Sequence, residues 1–170
     1  MRRTILLTIG FMVTFYLYAS AAEHSTPIKL KFSEEALKKE MASGEMMTLP
    51  EFEIFNAKGN GVYHVTGFDD SFQGDVRNIL MHPSSTEKTL DETLSKLRTQ
   101  YDKPVDNSVF DGAVFVFVEY WAEWCPSCFH QMRSVEEIVS SFPDLHIVWL
   151  KVEKDPAKLK SMNVKMLKKK

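Results

Sequence analysis

The chain has 170 residues, 44% of them hydrophobic and 26% charged, with seven Gly, seven Pro and two Cys. This composition excludes disordered and fibrous proteins, and the length allows one globular domain with short additions. A formal net charge of −2 gives no reason to expect nucleic acid as a partner. Two Cys are too few for a disulfide-rich scaffold, so their spacing decides how they are interpreted.

Residues 1–21 have the pattern of a secretory signal peptide. Arg2 and Arg3 precede an uncharged, mostly apolar run over 4–18, and small residues at 19–21 match a cleavage site. The alternative is an uncleaved membrane anchor, but the run is at the short end of the roughly 20 apolar residues that a span needs. We therefore expect a cleaved signal and a periplasmic or secreted protein, which an uncleaved signal would anchor to the membrane.

The next part of the chain predicts a helical segment and a hairpin. Residues 22–45 form the N-terminal helical segment, where Ser33 caps a helix that Gly44 ends. Alternating apolar and polar residues over 49–55, a Gly-containing turn and an apolar run over 62–65 predict a β-hairpin.

Signals for regular structure are weak over residues 69–85. Thr89 and Glu92 then form a capping box, which predicts a helix that continues to about Tyr101. Residues 103–112, with Pro, Asp, Asn and Gly, are typical of a connector.

Residues 114–152 predict a βαβ unit. Val114–Tyr120 and Leu145–Val152 are apolar runs, as expected of strands covered on both faces, and residues 126–141 follow helical spacing. The predicted apolar stripe of this helix comprises Phe129, Met132, Val135, Ile138 and Val139. We expect two parallel strands joined by a right-handed crossover.

Cys125 and Cys128 fall where the predicted strand meets the predicted helix. Pro126 suits the first helical turn, which places Cys125 at the helix N-terminus. Unpaired backbone N–H groups and the helix dipole there stabilise a thiolate and lower the thiol pKa from its usual ~8.5. Cys128, one turn later, can attack a mixed disulfide formed by Cys125. The geometry predicts Cys125 as nucleophile and Cys128 as resolving thiol.

Three other interpretations of the Cys pair compete with redox chemistry. Zinc binding lacks a second Cys pair, and haem attachment lacks a His directly after Cys128, where Phe129 stands. A purely structural disulfide remains open, but a bridge between residues three apart constrains little of the unfolded chain. We therefore favour redox chemistry.

Two further residues are candidates for the site. Glu119 shares strand parity with Phe115 and Phe117, so its carboxyl points into an apolar face, where burial raises its pKa. We hypothesise that Glu119 transfers the proton of Cys128; the alternative is a carboxylate that reaches solvent at a sheet edge. Trp124, beside the nucleophile, is expected to shield the site and contact substrates.

The segment at 116–128, VFVEYWAEWCPSC, resembles the active-site segment of the thioredoxin family. The family has a buried acid six positions before the first Cys, where this chain has Glu119. Residues 49–61 more loosely resemble the N-terminal hairpin of exported thioredoxin-like thiol reductases. The resemblance implies an α/β fold with a mixed sheet between helices, a redox-active Cys125–Cys128 disulfide, substrate contacts at Trp124 and Pro126, and exchange with protein thiols.

The chain also departs from this family. Arg133 stands where the family often has Pro. The family continues with a cis-Pro that faces the Cys pair, a strand pair and a helix, and matching without gaps brings that Pro to about Lys168. We therefore expect a domain over 46–170, matched best over 114–156, with a βαβ core, an N-terminal hairpin and helices. Its C-terminal ββα half would be missing, which would leave an exposed sheet edge and exposed apolar helix faces. Cover of part of this surface by the N-terminal hairpin is left open.

The last twenty residues differ in charge from the rest of the chain. Residues 151–170 carry a net charge of +6, against −10 over 22–150. This end is interpreted as a solvated tail or a patch for anionic lipid, which allows transient membrane association, or as the result of an early stop or frame change. The missing fold elements favour the early stop or frame change.

These observations predict an exported thiol–disulfide oxidoreductase that exchanges disulfides with Cys pairs of other exported proteins. A membrane or soluble thiol redox partner would recycle it, and the sequence indicates neither an organic cofactor nor a metal. Whether it reduces or oxidises its substrates depends on its reduction potential. The alternative is a thioredoxin-like binding or metal-handling module with little turnover, because it lacks the cis-Pro face.

Overall fold

A computed structural model describes residues 26–43 and 48–154 of the chain. The predicted signal peptide, Gly44 and the Lys-rich end lie outside these residues. No helix within the described part has the length and apolar character of a membrane span. The elements, in chain order, are β1 (Ile28–Phe32), α1 (Glu34–Ala42), β2 (Glu51–Asn56), β3 (Gly61–Thr66), α2 (Phe72–Met81), α3 (Leu90–Ser95), β4 (Leu97–Thr99), β5 (Phe115–Trp121), α4 (Pro126–Ser141) and β6 (Ile147–Glu153).

The strands form one mixed sheet in the order β3-β2-β5-β6-β1-β4. β5 and β6 run parallel, with Phe117 opposite Trp149, and α4 connects them. The predicted βαβ unit is therefore confirmed. β1 extends the parallel part beyond β6, while β2 and β3 run antiparallel beside β5 and β4 runs antiparallel beside β1.

The alternation of side chains along β5 builds two cores, one on each face of the sheet. Val116, Val118 and Tyr120 face the side covered by α1 and α3. Phe115 and Phe117 face the opposite side, where α2 and α4 pack. Because side chains alternate between faces along a strand, Glu119 lies on the side of α4.

The hairpin β2–β3 covers the side of β5 that was expected to be an exposed edge. The Leu49–Pro50 peptide bond, just before β2, is cis, and α2 follows β3. β2 pairs with β5 along six residues, with Glu51 opposite Tyr120. The resemblance placed a cis-Pro, a strand pair and a helix after the Cys motif, whereas here such a set precedes the motif. β5 is therefore not an exposed edge, because the hairpin takes the place that the missing half was expected to leave open.

Several predicted elements agree with the structure. Ser33 caps α1, with its hydroxyl accepting from the Ala36 N–H at 3.1 Å, and Thr89 with Glu92 forms the complete capping box of α3. The hairpin is found at β2 and β3 as predicted. The capping signals work because they satisfy local backbone donors, which needs no tertiary contact.

Other elements differ from the sequence prediction. α3 ends at Ser95 rather than near Tyr101, because Leu97 pairs with Phe32 in the ladder between β4 and β1. The sequence pattern also does not predict β1, within the expected helical segment, or α2. In α2 the Ser71 side chain makes no capping hydrogen bond and Gly74 weakens the helical signal.

Phe52→Ala is expected to destabilise the protein by about 3–5 kcal/mol, because this large ring lies fully inside the core. Phe52 is 0% exposed, and its ring centroid lies 5.2 Å from that of Phe72 and 5.3 Å from that of Phe117. Urea denaturation of the oxidised protein measures the change. The matched control is Tyr101→Ala, at a residue 87% exposed, with a change within about 0.5 kcal/mol. A loss below about 1 kcal/mol for Phe52→Ala would mean that the hairpin is not part of the cooperative core.

Candidate active site

The Cys pair occupies the turn between β5 and α4. Cys125 is the N-cap residue of α4, with φ −102° and ψ 96°, and Pro126 takes the first helical position. Pro is suited to that position because its missing N–H would have no intrahelical acceptor. The Cys125 N–H donates to the Ala122 carbonyl at 3.1 Å and closes the turn after β5. The prediction that Cys125 lies at the helix start is confirmed.

The two sulfur atoms form a disulfide, with Cα atoms 5.4 Å apart. The backbone N–H of Cys128 donates to Cys125 Sγ at 3.2 Å and also to the Cys125 carbonyl at 3.1 Å. This N–H belongs to the first helical turn, at the positive end of the helix dipole. After reduction, the same donor can bind a Cys125 thiolate and favour the anionic form of the sulfur.

The side chains around the disulfide are mostly apolar. Cys125 is 4% exposed and Cys128 is 0% exposed. Ala122 is buried with them, and Leu49 and Trp121 pack against this cluster. Leu49 comes from the segment before β2, so the Cys pair is enclosed by a part of the chain far from it in sequence.

Exposed aromatic side chains adjoin the Cys pair. Trp124 is 55% exposed and Phe129 is 42% exposed, and the Phe129 ring meets the Trp121 ring edge-on at 6.3 Å. The exposure of Phe129 corrects the prediction that it belongs to the buried stripe of α4. That stripe is centred on Cys128 and Ile138, so Phe129 is turned away from it. The result is an aromatic surface beside the disulfide.

Glu119 lies inside the layer between the sheet and α4. It is 1% exposed, and one carboxylate oxygen accepts from Trp149 Nε1 at 3.2 Å. Burial raises the pKa of this carboxyl to about 8, an effect that the positive charge of Lys151 and the Trp149 hydrogen bond only partly offset. β5 is an inner strand, so the interpretation of a carboxylate reaching solvent at a sheet edge is wrong.

Unpaired buried polar atoms occur at two residues on this side of the sheet. Among the described residues, the buried side-chain atoms without a hydrogen-bond partner are Glu119 Oε1 and both amide atoms of Gln131. Gln131 is 0% exposed and follows Cys128 by three residues on the buried stripe of α4. Buried polar atoms normally have a hydrogen-bond partner, so we expect ordered water to bind at these atoms.

A second polar cluster lies on the other face of the sheet. Ligand atoms of Glu51, Glu53 and His64 lie within 4.8 Å of one another, a spacing that could hold a metal ion. However, the ammonium group of Lys88 contacts Glu53 and that of Lys154 lies 3.1 Å from Glu51. Two lysine cations therefore already balance these carboxylates, and the arrangement does not favour a metal.

The structure brings most of the predicted site residues together. Cys125, Cys128, Pro126 and Trp124 share one turn and helix start, while Glu119 lies on the face of β5 towards α4. Sequence reasoning did not identify three neighbours of this site: Leu49, Trp149 and Lys151. Lys151 could have been found from the sequence, because it is a charged residue in an apolar run and parallel pairing of β6 with β5 places it opposite Glu119. For Leu49 the sequence carries no comparable signal.

Comparison with known proteins agrees with this geometry. The thioredoxin family profile matches residues 93–167, a stretch that includes the Cys pair and the whole βαβ unit. No curated protein and no solved structure gives a significant match to the chain.

Glu119→Gln is expected to change how the stability of the oxidised protein depends on pH. The carboxyl ionises near 4.5 in the unfolded chain but near 8 in the fold, so the folded state holds one more proton between these values. The contribution of Glu119 to the free energy of unfolding is therefore fully present below the pKa of the unfolded chain. As the pH rises from there to the pKa of the folded state, this contribution falls by roughly 1.4 kcal/mol per pH unit. Gln cannot ionise, so the variant avoids this loss.

Urea denaturation of wild type and variant at about pH 5 and pH 8 tests this expectation. The variant should gain stability relative to wild type at the higher pH. A difference in unfolding free energy that is the same at both pH values would contradict the buried, neutral carboxyl.

Proposed function

We propose that this chain, a thioredoxin-like protein by its fold and by its family match, is a thiol–disulfide oxidoreductase that exchanges disulfides with Cys pairs of other exported proteins. The observation that carries the proposal is the hydrogen bond from the Cys128 N–H to Cys125 Sγ, 3.2 Å long, at the start of α4. Export is proposed from the signal-peptide pattern of residues 1–21. An exported protein also meets the oxidising conditions in which substrate disulfides persist.

The first step uses Cys125 as nucleophile. In the reduced protein its thiolate attacks one sulfur of a substrate disulfide, so that a bond forms between Cys125 Sγ and that sulfur. The substrate disulfide bond breaks, and its second sulfur leaves as a thiolate that takes up a proton. First-turn N–H groups of α4 support this step because they stabilise the attacking anion.

The second step uses Cys128 as the resolving thiol. Cys128 loses its proton and attacks Cys125 Sγ, which re-forms the bond seen in the structure and releases the substrate sulfur as a thiolate. The substrate has then gained two electrons and two protons. Glu119 is proposed to relay this proton: its ionised form takes up the proton of Cys128 and passes it to the departing substrate thiolate, since a carboxyl with a pKa of about 8 exchanges protons near neutral pH. Run in reverse, the same steps oxidise a substrate dithiol.

The aromatic surface beside the disulfide supports a polypeptide as substrate. Trp124 and Phe129 are large apolar side chains left exposed next to the Cys pair, and such side chains dominate protein–protein contacts. Leu49 borders the pair from the opposite part of the chain. A membrane or soluble thiol partner would return the Cys pair to its starting redox state, and the Lys-rich end is proposed to allow transient contact with an anionic membrane.

The alternative of a binding or metal-handling module loses its main support. That alternative rested on the absence of a face opposite the Cys pair, but the Leu49–Pro50 segment supplies one, since Leu49 packs against the cluster of Cys125, Cys128 and Ala122. The charged cluster on the other face of the sheet is balanced by lysines. Catalytic turnover, which an oxidoreductase shows and a binding module does not, distinguishes the two functions.

Insulin reduction with dithiothreitol as electron donor tests the proposal. Wild type should accelerate precipitation of the insulin B chain, and Cys125→Ser should return the rate to that of dithiothreitol alone, because the attacking sulfur is lost. His130→Ala is the matched control on the exposed side of the same helix and should keep wild-type activity. Wild-type activity no higher than that of Cys125→Ser would contradict the enzyme and favour a binding module.

Cys128→Ser should accumulate mixed disulfides with its substrates. The variant retains the nucleophile but lacks the thiol that releases it, so the first-step product is trapped. Non-reducing electrophoresis of the variant with exported proteins detects these adducts as bands that disappear on reduction. The same bands in a Cys125→Ser, Cys128→Ser double variant would show that the adducts do not arise from the proposed step.

A further inference from the structure

A buried ammonium group lies just after β6, on the face of the sheet opposite α4. Lys154 is 4% exposed, and its Nζ lies 2.5 Å from Glu40 Oε1 and 3.1 Å from Glu51 Oε2. Lysines are rarely buried to this degree without a partner. Burial lowers the pKa of Lys154, but the carboxylates of Glu51 and Glu40 more than offset this, so that the pKa lies above its ordinary value. Lys154, Glu40 and Glu51 together form an ion cluster.

The ion cluster connects three elements of the fold. Glu40 belongs to α1, and Glu51 is the first residue of β2. The methylene stem of Lys154 is buried, and its Nζ lies 5.5 Å from the ring centroid of Phe32 and 5.6 Å from that of Tyr120. The charge is therefore held in one place by two carboxylates and two aromatic rings, rather than being free to move at the surface.

Glu51, at one end of the ion cluster, adjoins the Leu49–Pro50 segment, which lies opposite the Cys pair. Glu51 directly follows Leu49 and Pro50, and Leu49 packs against the cluster that contains Cys125 and Cys128. The Pro50 carbonyl accepts from the Gly67 N–H at 2.7 Å. The position of Leu49 relative to the sulfur atoms therefore depends on where Glu51 is held.

The other end of the ion cluster reaches the segment that carries the Cys pair. The backbone N–H of Lys154 donates to the carbonyl of Trp121 at 2.8 Å. Trp121 ends β5, and the turn that leads to Cys125 begins there. Lys154 thus contacts both the strand end before the nucleophile and, through Glu51, the segment opposite it.

We propose that Lys154 is a positioning residue, which holds the Leu49–Pro50 segment against the Cys pair, at the edge where a polypeptide substrate docks. This inference rests on the proposed exchange with protein disulfides. Without the ammonium group, the Glu51 carboxylate, already 15% exposed, would gain by turning towards water. The ladders with β3 and β5 keep the backbone of Glu51 in place, so the change falls on the Leu49–Pro50 segment before it. The N–H donor that stabilises the Cys125 sulfur belongs to α4 and stays in place, so small disulfides should react as before.

Lys154→Met removes the charge but keeps an unbranched side chain only one atom shorter than that of lysine. The variant should lose about tenfold in kcat/KM for insulin, mainly through a higher KM. A displaced Leu49–Pro50 segment weakens substrate binding more than it slows disulfide exchange. Its rate with the small disulfide 5,5′-dithiobis(2-nitrobenzoate) and its reduction potential should stay at wild-type values. Lys154→Arg keeps the charge and should retain most of the insulin activity. Equal losses with both disulfides, or no loss with either, would overturn the inference.

A double-mutant cycle with Leu49→Ala tests whether Lys154 acts through Leu49. Leu49→Ala should show the same selective loss with insulin, and the double variant should lose no more than the larger single loss. Losses that multiply in the double variant would mean that Lys154 acts elsewhere, which overturns the inference.

Hydrogen exchange gives a readout that does not depend on turnover. In Lys154→Met the Gly67 amide should exchange faster than in wild type, while the amides of β5 stay protected, since only the Pro50 segment is released. Should Lys154→Met fail to fold, Glu51→Gln breaks the same contact and is measured in its place. Unchanged protection of the Gly67 amide in Lys154→Met would overturn the inference. Faster exchange of this amide in Lys154→Met, together with a wild-type protein that does not reduce insulin, would overturn only the proposed function.

Discussion

The site depends on one hydrogen bond, from the Cys128 N–H to Cys125 Sγ at the first turn of α4. This bond exists because β5 ends at Trp121 and a closed turn brings Cys125 to the N-cap position. The helix that supplies the donor is held to the sheet by Val135 and Ile138, both 0% exposed. The packing of α4 on the sheet thus places a polar donor beside a sulfur atom, which binds that donor most strongly as an anion.

The surroundings of Cys125 and Glu119 favour opposite charge states of these two acidic groups. Cys125 meets helical N–H groups that favour its charged form, whereas Glu119 lies among apolar side chains that favour its neutral form. The difference follows from position, since Cys125 stands at the helix terminus and Glu119 inside a central strand. Groups whose proton affinities are shifted in opposite directions suit a reaction that moves a proton while a sulfur anion attacks.

The sequence predicts those features that depend on local patterns. The βαβ unit, the caps at Ser33 and Thr89, the helix start at Cys125 and the burial of Glu119 follow from periodicity, capping or strand parity. Features that depend on distant pairing are not predicted. Leu97 joins a strand because Phe32 lies opposite, and Phe129 is exposed because the helix turns its stripe around Cys128.

The N-terminal part of the chain shows the same limit more clearly. Nothing local to Leu49 or Lys154 indicates that they border the Cys pair or hold its surroundings. Both roles arise because β2 pairs with β5 and because β6 ends beside Trp121, and these are contacts between residues far apart in sequence. The structure therefore changes the view of the hairpin from an N-terminal addition to a part of the site.

The most direct test of this account is the ionisation of Cys125 in the reduced Cys128→Ser variant, where it is the only thiol. The ultraviolet absorbance of the thiolate, followed from acid to alkaline pH, reports this ionisation without depending on access to the sulfur. The account predicts a midpoint well below the ~8.5 of an ordinary cysteine, because the first-turn N–H groups of α4 stabilise the anion. A midpoint at or above that value would contradict it.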